Sequence, residues 1–271
     1  MRWVEIEWRG RTALLWLNRP PVNALSRDMR EAVLEALGRA EREGRVHAVV
    51  LVPAEGLGFC GGADLAEASE IRSPEEAMQV ATREVAFCEA VCHFPKPLIA
   101  ALDRYALGGG LEFALAADWR LATIQTKIGF PEAALGAFPA GGAIPLATRL
   151  IGKHRTRQLM MTGAVLTGER ALAIGLVDEV VEREALLQRA CALADVFAGR
   201  SYGSIQAVKA LTRESLSEMR GAIVEWMRAI YAGRDIHEGL RAFHAKRAPQ
   251  YDADWLVPGE ASPSAGEEMR G

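Results

Sequence analysis

No stretch of this sequence comes near the roughly twenty consecutive apolar residues that a membrane-spanning helix needs. The N-terminus interleaves charges with Trp3, Val4, Ile6 and Trp8 and lacks the apolar run of a secretory signal. Cysteine is scarce. Cys60, Cys88, Cys92 and Cys191 have no framework spacing, which excludes a disulfide-stapled scaffold and reads as reduced thiols in a cytoplasmic protein. Cys88 and Cys92 are four apart on a predicted helix, but no second Cys/His pair completes a zinc site, and the five histidines are scattered. No metal is expected. An excess of basic residues is also missing: 32 Lys and Arg face 35 Asp and Glu, a net charge of −3. That balance excludes the electrostatic footprint of a nucleic-acid binder.

What is present is ordinary globular material, 271 residues of which half are hydrophobic and a quarter charged. The length suffices for a large core in one or two domains. Trp3 to Trp8 and Thr12 to Leu17 read as two strands about a turn at Gly10. Ser26 is a predicted N-cap, with Met29, Val33, Leu34 and Leu37 at helical spacing behind it. The apolar run Val46 to Val52 predicts a buried strand. Ser73-Pro74-Glu75-Glu76 gives a cap, a proline and two acids against the dipole, so a helix should run from there to about His93. Further strands are predicted over 97–102, 118–123, 127–130 and 178–181. Helices are predicted over 109–117, 143–150, 154–161, 168–174, 184–198, 204–216, 218–234 and 236–246. The pattern divides the chain into an α/β core over 1–200, a helical region over 201–261 and a Pro/Ser/Gly/Glu tail over 262–271 without structure.

Three segments carry chemistry. Gly108-Gly109-Gly110 precedes a helix-prone run, so backbone amides there are open to a ligand and placed to meet a developing negative oxygen. Glycines in such a run also serve simply to let a helix pack closely on a strand. Gly61-Gly62-Ala63 follows a buried strand and can offer a second amide. Gly56-Leu57-Gly58-Phe59-Cys60-Gly61 matches the dinucleotide pattern G-x-G-x-x-G, but Pro53-Ala54-Glu55 separates it from its strand and no tight βαβ unit follows. Glu112 and Glu132 are lone acids in apolar company, where a carboxyl pKa rises toward the range useful for proton transfer. Each is also a first-turn helix acid, a common and chemically idle arrangement.

In this order the segments resemble the crotonase superfamily, the enoyl-CoA hydratase/isomerase family, over about residues 3 to 251. The resemblance rests on Asn18-Arg19-Pro20 with Asn23-Ala24-Leu25-Ser26, on Phe59-Cys60-Gly61-Gly62-Ala63-Asp64-Leu65, and on Lys96-Pro97-Leu98-Ile99-Ala100-Ala101 leading to Ala106-Leu107-Gly108-Gly109-Gly110. Later landmarks are Thr162-Gly163, Ala171, Gly175-Leu176-Val177 and Glu238-Gly239 with Phe243 and Lys246-Arg247. It implies a crotonase-like spiral of β-β-α units with a helical C-terminal trimerisation region, assembled as a trimer or a dimer of trimers. It implies a lyase of fatty acid metabolism that takes an acyl-CoA and needs no cofactor beyond the coenzyme A of its substrate. Ala63 and Gly109 hold the positions whose amides grip the thioester oxygen, and Glu112 and Glu132 hold both glutamate positions of the hydratases. Leu25, Gly61, Asp64, Leu65, Gly108 and Phe130 fall around the bound acyl-CoA, and Lys246 falls where a cation meets the CoA phosphates. Some relatives bind RNA instead, which the acidic balance here opposes. The chain departs from the pattern at Asp103-Arg104, where Asn-Gly is usual, at Ala66 for a lysine, at Ala143 to Ala147, and at Phe130 for a glutamine. The last two departures imply a more apolar acyl pocket.

Overall fold

The computed structural model describes residues 3–212, 217–233 and 235–250. The chain opens with strands β1 (Val4–Arg9) and β2 (Thr12–Leu17), an antiparallel hairpin turned at Gly10 with φ +59°. Helix α1 (Arg27–Arg42) follows, and Ser26 caps it by accepting from the Met29 amide at 3.2 Å. Then come β3 (Ala48–Pro53), a short α2 (Leu65–Glu70), and α3 (Pro74–Cys92), which starts at the Ser73 cap. Next are β4 (Leu98–Leu102), β5 (Tyr105–Leu107), α4 (Gly109–Leu115), β6 (Trp119–Thr123), β7 (Lys127–Gly129) and a 3-10 turn over Pro131–Leu135. Helix α5 (Ala143–Thr162), β8 (Val165–Leu166), α6 (Gly168–Ala173), β9 (Glu179–Val181) and α7 (Leu186–Ala198) lead to α8 (Tyr202–Leu211), α9 (Ser217–Ala232) and α10 (Asp235–His244).

The strands make two sheets. The larger has the order β1-β2-β3-β4-β6-β9 and is parallel after its first hairpin. The smaller is β5-β7-β8. The chain visits them alternately: β4 then β5, β6 then β7. Each visit ends in a helical turn, and the result is a spiral of β-β-α units. Strand β3 is buried along its whole length and feeds two cores. Val49 and Leu51 face the α1–α3–α4 side, while Ala48, Val50 and Val52 pack with Leu14, Ile99 and Leu121 under Leu186, Ala190 and Leu193 of α7. A strand buried on both faces needs an unbroken apolar run, and Ala48 to Val52 supplies it.

Several local expectations needed revision. Helix α2 and strands β5 and β8 carry no periodicity of their own, because they are too short. Gly152, at φ 78° and ψ 155°, breaks α5 between the two predicted helices. Helix α8 is capped by Ser201 and ends at Leu211, short of the expected residue 216, and residues 213–216 lie outside the described ones. The tail over 262–271 also lies outside them. Helix α9 packs on α3, and α10 packs on the Pro131–Leu135 turn. That second contact is backbone-close: a methyl on Gly239 would lie 2.3 Å from the Leu135 carbonyl oxygen, so glycine is required there.

Candidate active site

Two loops meet at the ends of the strands. The Cys60 amide donates to the Tyr105 carbonyl at 3.2 Å, and the Leu107 amide donates to the Cys60 carbonyl at 3.1 Å. The loop before α1 closes over the same place, with Gly61 donating to Val22 and Leu25 donating to Gly62, both at 2.8 Å. Gly62 and Gly108 sit at φ +113° and +52°, open only to glycine without strain. Through this lacing, a methyl on Gly109 would stand 3.4 Å from the Ala63 nitrogen. Among the described residues neither the Ala63 nor the Gly109 amide donates within the protein. A salt bridge steadies the first loop: Arg19 Nη2 meets Asp64 at 2.6 Å, and Asp64 also caps α2.

The two glutamates approach from opposite sides. Glu112 is buried on the first turn of α4, and its Oε2 accepts from the Ala143 amide at 3.0 Å. Ala143, the first residue of α5, is thus an amide donor to Glu112 and not a wall of the pocket. Burial, then repulsion from Glu132 and from Glu84, pushes Glu112 up to about 8, and the Ala143 and Gly141 amides oppose the rise. Glu132 sits in the 3-10 turn. Its Oε2 is buried without a hydrogen-bond partner, and its Oε1 would be 2.8 Å from a methyl on Gly108. Burial chiefly, with Glu84 adding, pushes Glu132 up to about 7.

Both carboxyls open on one cavity of about 680 Å³. Among the expected residues Leu25, Ala63, Asp64, Leu65, Gly109, Glu112 and Glu132 line it. Gly108 stands behind Glu132. Gly61 spends its amide on Val22. Phe130 does not line the cavity: it is fully buried in the core, and Phe87 and Phe138 supply aromatic wall instead. Lys246 is exposed just past α10 with φ 51° and is not among the residues that line this chain's cavity. Sequence reasoning missed Arg30, Glu84 and Tyr231, which also line it. A signal for Glu84 existed. Ala77, Ala81, Cys88 and Val91 form the buried stripe of α3, and Glu84 interrupts it at helical spacing. Among the described residues no group of three metal-ligating side chains is placed to hold a metal ion.

The model of the family described as enoyl-CoA hydratase/isomerase matches residues 9–254. This chain belongs to that family. It is 32% identical over 247 residues to a probable enoyl-CoA hydratase of Bacillus subtilis, covering 89% of this chain and 95% of the relative. The solved structure of EchA1_1 from Mycobacterium paratuberculosis superposes with a TM-score of 0.82 at 32% identity, covering 94% of this chain and all of that one. A methylmalonyl-CoA decarboxylase in complex with 2-nitronate-propionyl-CoA superposes with a TM-score of 0.79 at 25% identity, over 93% and 99% of the two chains. The fold is therefore the crotonase fold, and the protein is an enzyme of that superfamily whose members include decarboxylases as well as hydratases.

Proposed function

We propose that this crotonase-family enzyme is an enoyl-CoA hydratase. The observation that carries the reading is a pair of acyclic proton carriers, Glu112 and Glu132, on one cavity beside two uncommitted amides. The thioester oxygen of a trans-2-enoyl-CoA accepts from the Ala63 and Gly109 amides. Charge that develops on that oxygen as the double bond is attacked is stabilised by donors already in place. Glu112, held by the Ala143 amide, takes a proton from water as the water oxygen bonds to Cβ. The electron pair of the double bond moves to an enolate, and Glu132 gives a proton to Cα. The product is a 3-hydroxyacyl-CoA. Glu112 ends protonated and Glu132 ionised, and one proton passing back through solvent restores the pair. The unpartnered Oε2 of Glu132 supports its part, because a buried carboxyl oxygen with no donor favours the protonated acid.

A decarboxylase in the same fold uses an acyl-CoA without needing both acids to add water. Two glutamates on the cavity favour hydration over that alternative. We further propose assembly as a trimer or a dimer of trimers, supported by exposed apolar side chains such as Met161 and Leu211. The deciding experiment is a spectrophotometric screen of enoyl-CoA thioesters, following loss of the conjugated thioester absorbance. Turnover of 2-enoyl-CoAs is expected. Inertness toward all of them, with activity on a 3-enoyl or carboxyacyl thioester, would reassign the reaction.

A further inference from the structure

The wall of the same cavity carries a polar cluster to which the proposed proton transfer assigns no step. Arg30 of α1 and Glu84 of α3 form an ion pair at 2.9 Å with side chains only 15% and 18% exposed. Tyr231 of α9 joins them on the wall, where burial chiefly, with the Glu84 charge adding, pushes its hydroxyl up to about 12. Leu34, Val80, Met227 and Leu240 add apolar wall to the same cavity. Among the described residues the Arg30 side chain makes one hydrogen bond, through Nη2, and the Tyr231 hydroxyl makes none. Donors without a protein partner therefore belong to side chains that line the cavity. Glu84 stands one helical turn from Cys88, and both the Cys88 sulfur and Glu112 border Gly141. Glu84 and Glu112 line the one cavity from different helices, α3 and α4.

We propose that Arg30, Glu84 and Tyr231 form a specificity subsite for a neutral oxygen on the acyl chain, a hydroxyl or a carbonyl, so that the favoured substrates are oxygenated acyl-CoAs. This rests on the acyl-CoA reading above. A plain chain would cover the unfilled donors of Arg30 and leave them without water or partner. An oxygen atom accepts from them, and a hydroxyl can also donate to Glu84. A carboxylate is the wrong occupant, because Glu84 already neutralises Arg30, and Glu112 and Glu132 share the cavity.

The test is calorimetric binding of saturated acyl-CoAs, which cannot be hydrated. Octanoyl-CoA is compared with analogues bearing one hydroxyl, walked from mid-chain to the end, and with the terminal carboxylate. At one hydroxyl position binding should tighten about tenfold, the worth of one hydrogen bond that replaces an unmet donor. The carboxylate should bind more weakly than octanoyl-CoA. Tyr231→Phe should shrink the hydroxyl gain, and joint Arg30→Leu/Glu84→Leu should abolish it, with thermal melts reporting that each variant is folded. The proposal is overturned if octanoyl-CoA matches every hydroxylated chain, if the carboxylate binds tightest, or if the joint variant keeps the gain. A hydroxyl preference in an enzyme that hydrates no enoyl-CoA would uphold the subsite and remove only the hydratase assignment.

Discussion

Glu112 and Glu132 are more informative as a pair than singly. Two carboxyls on one low-dielectric cavity repel each other, so between about 7 and about 8 the pair holds one proton and one negative charge and titrates as a unit, and hydration draws on the arrangement with that proton on Glu132 and the charge on Glu112. With values pushed to about 7 and about 8, hydration should follow a bell-shaped profile. Below about 7 both groups become protonated and the base is lost; above about 8 both ionise and the acid is lost. A kcat/KM profile flat from pH 5 to 9 would contradict this. The same burial has a stability consequence. The ordinary carboxyl value is 4.5, so between there and about 8 the unfolded chain has ionised at position 112 while the folded pair still holds a proton. Stability carried by this group is intact below 4.5 and declines as pH rises toward 8. Glu112→Gln should therefore be more stable than the parent at pH 8, on the order of a few kcal/mol at about 1.4 kcal/mol per unit. The difference should shrink toward zero near pH 4.5 in denaturant titrations. Both glutamates were legible from their apolar neighbours in the sequence. Phe130 was not, because which way a strand-end side chain turns depends on the partner strand, and here it turns inward. Arg30, Glu84 and Tyr231 come from three helices, and nothing local says that they meet.

At the scale of elements, glycines divide into those that hold the fold and those that keep the site open. A methyl on Gly168, the first residue of α6, would lie 2.1 Å from the Thr123 carbonyl oxygen. Gly168→Ala should cost about 1–3 kcal/mol of stability from overpacking, read as a lower midpoint in urea. Gly109→Ala is different, since its methyl would meet the Ala63 nitrogen at 3.4 Å, an ordinary contact. It should fold normally and lose roughly 100–1,000-fold in kcat, the usual worth of an oxyanion donor, because the methyl covers the amide that the thioester oxygen needs. A Gly109→Ala enzyme of normal activity would contradict the amide pairing. Arg104 occupies φ 59° in the turn between β4 and β5. Arg104→Gly should relieve that left-handed strain and stabilise by up to about 1 kcal/mol. Long elements with strong punctuation were legible: α3 starts at Ser73-Pro74, and β3 is one apolar run. The short β5 and β8 exist only because β7 lies between them to pair with, a tertiary cause that leaves no local pattern.

The whole molecule explains why strands end where the chemistry sits. Parallel strands of the large sheet deliver their loops to one edge, the small sheet laces those loops together, and α9 and α10 close the far side of the cavity. Light scattering should report three or six times the 29.4 kDa chain mass, and a monomer at micromolar concentration would contradict the assembly proposed from the exposed apolar surface. The central claim concerns a thioester enolate formed between two amides and quenched by a carboxyl. Its most direct test is turnover of a trans-2-enoyl-CoA in D2O with NMR of the product. The wild-type enzyme should give a 3-hydroxyacyl-CoA with one deuterium at Cα, and Glu112→Gln and Glu132→Gln should each slow its appearance by roughly 100-fold or more. Product without Cα deuterium, or variants that match the wild-type rate, would contradict the account.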